Sequence, residues 1–220
     1  MSNFEQLTEV PVASQSFRQA GIGVKDGSVS MTWEIEGRPG ASKSSEVNVA
    51  FRDLLSRLKV SRRAPNFSFA TVDFHDVVAY HSPMQAIADI DDNADYDPTS
   101  HGTGGTFYGA GLEHAHTIAQ QFLDADSTIP SSAVLLVLGD GECSQPDRSI
   151  QIAETIHQDP RIVIATAYFA TKGSIDTAGP NLLRQISSDP ARYYKTVYDA
   201  ETLRNFFLAP LTAAATNTKG

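Results

Sequence analysis

Carboxylates and hydroxyls recur at three places along this 220-residue chain. Asp26, Ser28 and Ser30 alternate within one short segment. Thr106 follows two glycines, and Asp140 comes just after an apolar run. All of these side chains are oxygen donors, and oxygen donors suit a hard divalent cation such as Mg²⁺. We therefore interpret all five residues as candidate ligands of Mg²⁺, with Mn²⁺ and Ca²⁺ as alternatives.

A site of this composition leaves a role for a second molecule. With mostly neutral oxygens as its direct ligands, a bound ion would keep net positive charge and an open coordination position. A carboxylate from another protein could fill that position. The pattern therefore indicates a metal-dependent binding site for a protein partner that presents Asp or Glu.

The elements that must position these residues follow from the hydrophobic pattern. Short apolar runs alternate with segments of helical period, which is typical of a parallel sheet with helices on both faces. The predicted strands are residues 17–25, 66–74, 77–81, 133–138, 161–170 and 193–198. The predicted helices are residues 46–59, 111–123, 147–157, 180–188 and 201–208, the last ending before Pro210.

The sequence thus predicts an α/β fold with a doubly wound, mostly parallel six-stranded sheet. Residues 77–81 are predicted as one antiparallel edge strand, because only His75 and Asp76 separate them from the preceding strand. Ligands of such sheets bind beyond the carboxyl ends of the strands, where the candidate ligands lie. We expect one domain over residues 16–212, with tails at residues 1–15 and 213–220.

Charge and cysteine content restrict the partners and the compartment. The formal net charge is −9, which argues against a nucleic-acid or anionic-membrane partner, because such binding needs a clustered basic face. The single cysteine, Cys143, excludes an intramolecular disulfide and suits a reducing compartment. With no apolar run long enough for a signal-peptide core or a membrane span, we expect a cytoplasmic location.

The five candidate ligands resemble the metal-ion-dependent adhesion site (MIDAS) of von Willebrand factor A domains, which has the pattern DxSxS, then Thr, then Asp. Asp26, Ser28, Ser30, Thr106 and Asp140 match its five positions in order. The flanking residues Met31, Gly104, Gly105 and Gly141 agree as well. The resemblance covers nearly the whole chain.

This resemblance implies a Rossmann-like sheet, with the three hydroxyls as direct ligands and Asp26 and Asp140 holding the ion, often through water. The chain departs from the family where Gly23 and Lys25 interrupt the apolar run before Asp26. We expect Lys25, a positive charge beside the site, to weaken metal affinity by repulsion.

The short, acidic, leaderless chain resembles stand-alone intracellular bacterial members of the family more than secreted ones. It is similar to members associated with tellurite resistance, a stress response, and with phosphatase and kinase partners. The resemblance implies an adaptor or scaffold, not an enzyme.

Two alternatives to this interpretation stay open. A metal-dependent hydrolase or phosphoryl-transfer enzyme could use the same oxygen cluster, with Asp26 or Asp140 as base and Lys25 or His101 as additional groups. A nucleotide-binding domain is disfavoured, because the first turn lacks a glycine-rich phosphate loop.

The only tryptophan, Trp33, lies shortly after the segment that carries Asp26 and the two serines. An exposed tryptophan beside a metal site could anchor a protein partner. Alternatively, it packs beneath its own loop.

Overall fold

The computed structural model describes residues 17–171 and 177–214, without the side chains of residues 213 and 214. The predicted tail of residues 1–15, and all but the first two residues of the tail predicted for 213–220, lie outside the described residues. Within the described part of the chain, no helix combines the length and apolar character needed to cross a membrane.

Five parallel strands form the centre of the sheet: β1 (Arg18–Asp26), β2 (Phe67–Phe74), β5 (Ser131–Gly139), β6 (Ile162–Phe169) and β7 (Tyr194–Val197). Two short strands, β3 (Val78–His81) and β4 (Gln85–Ala86), pair antiparallel with β2. The order across the sheet is β3-β2-β1-β5-β6-β7, with β4 beside β2.

The described residues therefore form seven strands, where six were predicted. The additional strand, β4, contains only Gln85 and Ala86, which pair with Phe69 and Ser68. Two residues are too few to show the alternation by which a strand is recognised in a sequence. β3 ends shortly before Pro83, and the edge of the sheet resumes just after it.

The helices are α1 (Lys43–Lys59), α2 (Tyr108–Asp124), α3 (Pro146–Ile156), α4 (Ala178–Ile186), α5 (Pro190–Tyr193) and α6 (Ala200–Ala214). α1 begins three residues earlier than predicted, because Ser42 and Ser45 form a capping box. The Ser45 N–H donates to Ser42 Oγ at 3.1 Å, and the Ser42 N–H donates to Ser45 Oγ at 3.0 Å. Lys43 is therefore part of the helix instead of the loop before it.

The two faces of the sheet are covered by different helices. Side chains of β5 alternate between the two cores: Leu135 packs with the core formed by α2, α3 and α4, whereas Leu136 packs with that formed by α1 and α6. Both leucines are fully buried. Burial on both sides makes β5 a continuous apolar run, as expected of a central parallel strand.

α6 continues through Pro210, where the sequence predicted it to end at residue 208. Leu203, Phe207 and Leu211 recur every four residues and are almost completely buried against the same core. Burial of this stripe on both sides of Pro210 offsets the loss of one helical hydrogen bond.

Candidate metal centre

Neighbouring parallel strands position the two candidate carboxylates. Asp26 is the last residue of β1, and Asp140 directly follows β5, which lies beside β1. The chain leaves β1 towards β2 on one side, whereas β5 lies on the other. The carboxyl ends of β1 and β5 therefore flank the point where the winding direction reverses, the usual place for a ligand.

Contacts between two loops bring the hydroxyls to the same place. After Asp26, the chain makes a short 3₁₀ turn over Val29–Thr32. Ser28 forms a parallel bridge with Gly104, and the Val29 N–H donates to the Gly104 carbonyl at 3.1 Å. This bridge holds the loop that carries Thr106 against the loop that carries Ser28.

Hydrogen bonds link four of the five predicted ligands. Ser30 Oγ donates to Asp140 Oδ1 at 2.6 Å, and the Ser28 and Ser30 hydroxyls are 3.1 Å apart. The Ser28 N–H donates to Asp26 Oδ1 at 2.8 Å. Thr106 is nearly buried and borders the same depression as Ser30 and Asp140. The five residues are thus gathered at one end of the sheet.

Asp26 carries an unsatisfied oxygen. Its side chain is fully buried, and Oδ2 has no hydrogen-bond partner among the described residues. Burial, followed by the nearby charge of Asp140, raises the pKa of Asp26 to about 7. A buried carboxylate with one unpaired oxygen is unfavourable, and a cation would remove the deficit.

The donor set fits a hard divalent ion. Carboxylate and hydroxyl oxygens are the donors that Mg²⁺, Mn²⁺ and Ca²⁺ accept. The described residues contain no group of three or more His, Cys, Asp or Glu side chains that could hold a metal. The loops after β1 and β5, with the Thr106 loop, instead bring hydroxyls together with two carboxylates.

Lys43 belongs to the site, although sequence reasoning missed it. Its Nζ forms an ion pair with Asp140 Oδ2, and both side chains are buried. Two signals could have identified it: the capping serines that place Lys43 at the first position of α1, and the position of that turn after the DxSxS segment. These signals place Lys43 near the DxSxS segment, but its pairing with Asp140, 97 residues away, cannot be identified from one sequence.

Lys25 was expected beside the metal ligands, and this expectation is wrong. Adjacent residues of a strand point to opposite faces, so Lys25 lies on the other side of β1 from Asp26. Its Nζ lies 3.0 Å from Asp73 Oδ1 and donates to the Tyr96 carbonyl at 2.7 Å. His101 Nδ1 contacts the other oxygen of Asp73 at 3.1 Å. These charges are compensated locally and are not groups of the candidate site.

A second missed contribution comes from Asp76, at the turn after β2. Its Oδ2 accepts a hydrogen bond from the Gly105 N–H at 2.8 Å. The His75 carbonyl accepts one from the Phe107 N–H at 3.0 Å. Both contacts flank Thr106, so this turn fixes the loop on which that hydroxyl lies.

A depression of about 350 Å³ opens over the site and includes Ser30, Thr106 and Asp140 in its lining. Trp33 and Lys43 also line it. Trp33 is 62% exposed, and its ring centroid lies 5.9 Å from Lys43 Nζ. The tryptophan therefore does not pack beneath its loop, and it presents an apolar surface at the mouth of the site.

The pKa of Asp26 implies a distinct pH dependence of the metal-free protein. Between the ordinary value of 3.8 and about 7, folded Asp26 keeps a proton that the unfolded chain has lost. Stability therefore falls as pH rises through this window. We expect urea titrations to show that the free energy of unfolding of the wild type, relative to that of Asp26→Asn, declines as the pH rises through this window. If the free energy of unfolding of the two proteins changed with pH in parallel, the raised pKa of Asp26 would be contradicted.

No family model matches the sequence, and no curated protein matches it. Solved structures do share the fold. The pilus adhesin SpaC from Lactobacillus rhamnosus GG superposes with a TM-score of 0.71 at 10% identity, over 93% of this chain and 31% of that chain. A von Willebrand factor type A protein from Catenulispora acidiphila gives a TM-score of 0.61 at 16% identity, over 90% of this chain and 43% of that chain.

Proximal thread matrix protein 1 from the mussel byssus, in a structure with a zinc-occupied MIDAS motif, gives a TM-score of 0.55 at 18% identity. The match covers 92% of this chain and 47% of that chain. The chain thus spans about a third of the adhesin and less than half of the other two proteins. These likenesses show that the chain has a von Willebrand factor A-type fold.

Proposed function

We propose that this chain is a metal-dependent protein-interaction module, whose divalent ion, Mg²⁺, binds at the carboxyl ends of β1 and β5. The observation that carries the proposal is the buried Asp26 carboxylate, whose Oδ2 lacks a hydrogen-bond partner among the described residues. Burying such a group without compensation costs free energy, whereas a cation would satisfy it. Mn²⁺ and Ca²⁺ accept the same donors and are alternatives.

The proposed ligands are the hydroxyls of Ser28, Ser30 and Thr106, with Asp26 and Asp140 holding the ion directly or through water. When bound, the ion supplies an open coordination position to a carboxylate of a partner. The chain's own contribution is orientation. The hydrogen bond from Ser30 to Asp140 and the bridge from Ser28 to Gly104 fix the hydroxyls before any ion arrives.

The proposed partner is another protein that presents Asp or Glu. Two neighbours support an interaction role by their names, one a pilus adhesin and the other a thread matrix protein. We further propose an adaptor or scaffold in the bacterial cytoplasm, of the kind associated with tellurite resistance and stress response, with phosphatase or kinase partners. The single cysteine, which suits a reducing compartment, supports this assignment.

We favour binding over hydrolysis because of the groups around the depression. Its described lining residues include Asp140, Glu142 and Lys43, but no histidine. His101, an additional group of the hydrolase alternative, pairs with Asp73 on the other side of β1. A nucleophile activated by an imidazole therefore has no basis among these residues.

Partner capture tests the proposed function. The immobilised protein is incubated with lysate of its source cells, in Mg²⁺ or in chelator, beside the variants Asp26→Asn and Asp124→Ala. Asp124 is an exposed carboxylate at the far end of α2 and serves as the matched control. We expect proteins retained by the wild type and by Asp124→Ala in Mg²⁺ only. Equal retention in chelator, or by Asp26→Asn, would rule out a metal-dependent module.

Trp33→Ala should weaken partner binding without changing the metal site. Exposed tryptophans at binding surfaces often contribute about 2 kcal/mol, which corresponds to roughly 30-fold in affinity. Because the ring is 62% exposed, its loss should leave the melting temperature nearly unchanged. Surface plasmon resonance with the captured partner measures the effect, and calorimetry with Mg²⁺ provides the control. An unchanged partner affinity would remove Trp33 from the interface.

A further inference from the structure

Lys43 occupies a position next to Asp140, one of the proposed metal ligands. Its ammonium forms an ion pair with Asp140 Oδ2, while Asp140 Oδ1 accepts the hydrogen bond of Ser30. Both oxygens of this carboxylate are therefore engaged by the protein itself. Lys43 is 6% exposed, and the carboxylate of Asp140 is completely buried, so water screens the pair weakly.

The distribution of contacts at the two carboxylates is unequal. Asp140 has a positive partner, whereas Asp26 has one backbone N–H on Oδ1 and no partner on Oδ2 among the described residues. A divalent ion that satisfies Asp26 and binds the Ser30 hydroxyl would come close to Asp140, to which that hydroxyl donates. It would then meet the charge of Lys43 at short range, and like charges repel strongly where solvent screening is low.

We propose that Lys43 is an internal counter-cation that competes with the divalent ion for Asp140 and so sets the metal affinity of the site. The inference rests on the proposed function, because it assigns a regulatory residue to the same site. Lysine suits this role, since its charge is carried on a flexible stem and can leave without moving the helix.

Calorimetric titration of MgCl₂ into chelator-treated protein tests the competition. Lys43→Met keeps an unbranched apolar side chain only one atom shorter and removes the charge. We expect Mg²⁺ to bind this variant at least about tenfold more tightly than the wild type, comparable to other residues that act through a metal ligand. Lys43→Arg, which keeps the charge, should bind no more tightly than the wild type. Lys59→Met, at the other end of α1, is the matched control and should leave the affinity unchanged.

Thermal unfolding provides a readout that a merely structural role would not change. Without metal, Lys43→Met should melt below the wild type, because Asp140 loses its positive partner. Saturating Mg²⁺ should then raise its melting temperature by more than it raises that of the wild type. A structural lysine would lower both values equally. Lys43→Gln replaces the methionine variant if the latter does not fold.

The outcomes separate this inference from the proposed function. If the wild type binds Mg²⁺ and Lys43→Met binds it equally or more weakly, the competition is overturned and the metal site stands. If neither protein binds Mg²⁺, both are overturned. Tighter binding by Lys43→Met, with Lys59→Met unchanged, supports both.

Discussion

Asp26→Ala is expected to abolish saturable binding of Mg²⁺ to the chelator-treated protein. Asp26 is the fully buried carboxylate with an unsatisfied oxygen, and it anchors the turn through the Ser28 N–H. Loss of a residue that only orients a ligand costs about 10- to 100-fold in metal affinity, so loss of a ligand should cost at least about 100-fold. Isothermal titration calorimetry measures the effect.

The fold should survive this change, because Asp26 lies at the end of β1 and its ionised form is unfavourable where it is buried. Circular dichroism and urea unfolding of the variant check this. Asp124→Ala, remote from the site, should bind Mg²⁺ as the wild type does. If a folded Asp26→Ala protein kept the affinity of the wild type, Asp26 would not be a ligand.

Asp73→Ala is expected to cause the largest loss of stability. Asp73 and Lys25 are each 1% exposed and lie beside each other on β2 and β1, with Asp73 Oδ1 3.0 Å from Lys25 Nζ. Burial lowers the pKa of Lys25 and raises that of Asp73, while their mutual attraction opposes both shifts. Removing one partner leaves a buried, uncompensated charge, which costs about 3–5 kcal/mol. Urea unfolding at neutral pH measures it.

A double variant distinguishes lost charge compensation from lost packing. Lys25→Met combined with Asp73→Leu removes both charges and keeps apolar volume, and such replacements are often close to neutral. We expect it to recover most of the stability that Asp73→Ala loses. Mg²⁺ binding should persist in the double variant, because the pair lies on the opposite side of β1 from Asp26. A loss below about 1 kcal/mol in Asp73→Ala would show that the pair is not charged in the folded protein.

The candidate ligands could be predicted from the sequence because most of their arrangement is local. Asp26 ends one strand and Ser28 and Ser30 follow in the turn after it, and parallel strands bring their carboxyl ends to the same edge of a sheet. The position of Asp140 follows from the apolar run before it. The roles of these residues as metal ligands stay a prediction.

The side of β1 on which the Lys25 side chain lies could also be predicted from the sequence, although our expectation placed it wrongly. Residues 25 and 26 of a strand must face opposite sides, so Lys25 could not share a site with Asp26. The interruption at Gly23 has a separate cause, since a methyl group there would overlap the Phe51 ring. That partner comes from α1 and cannot be identified from the strand alone.

Contacts between distant segments account for what the sequence did not predict. The ion pair of Lys43 with Asp140 depends on how the first turn of α1 is placed over β5. The hydrogen bond of Asp76 to Gly105 depends on how the turn after β2 meets the Thr106 loop. Helical propensity alone ends α6 before Pro210, whereas burial of Leu211 carries it further.

Anomalous diffraction from crystals equilibrated with Mn²⁺ tests the central claim most directly. Mn²⁺ accepts the same oxygen donors as Mg²⁺ and can be located by its own scattering. We expect one peak bordered by the side chains of Ser28, Ser30 and Thr106, with Lys43 Nζ moved away from Asp140. A folded protein at saturating Mn²⁺ with no peak there, and with Lys43 still paired to Asp140, would contradict a metal-dependent interaction module.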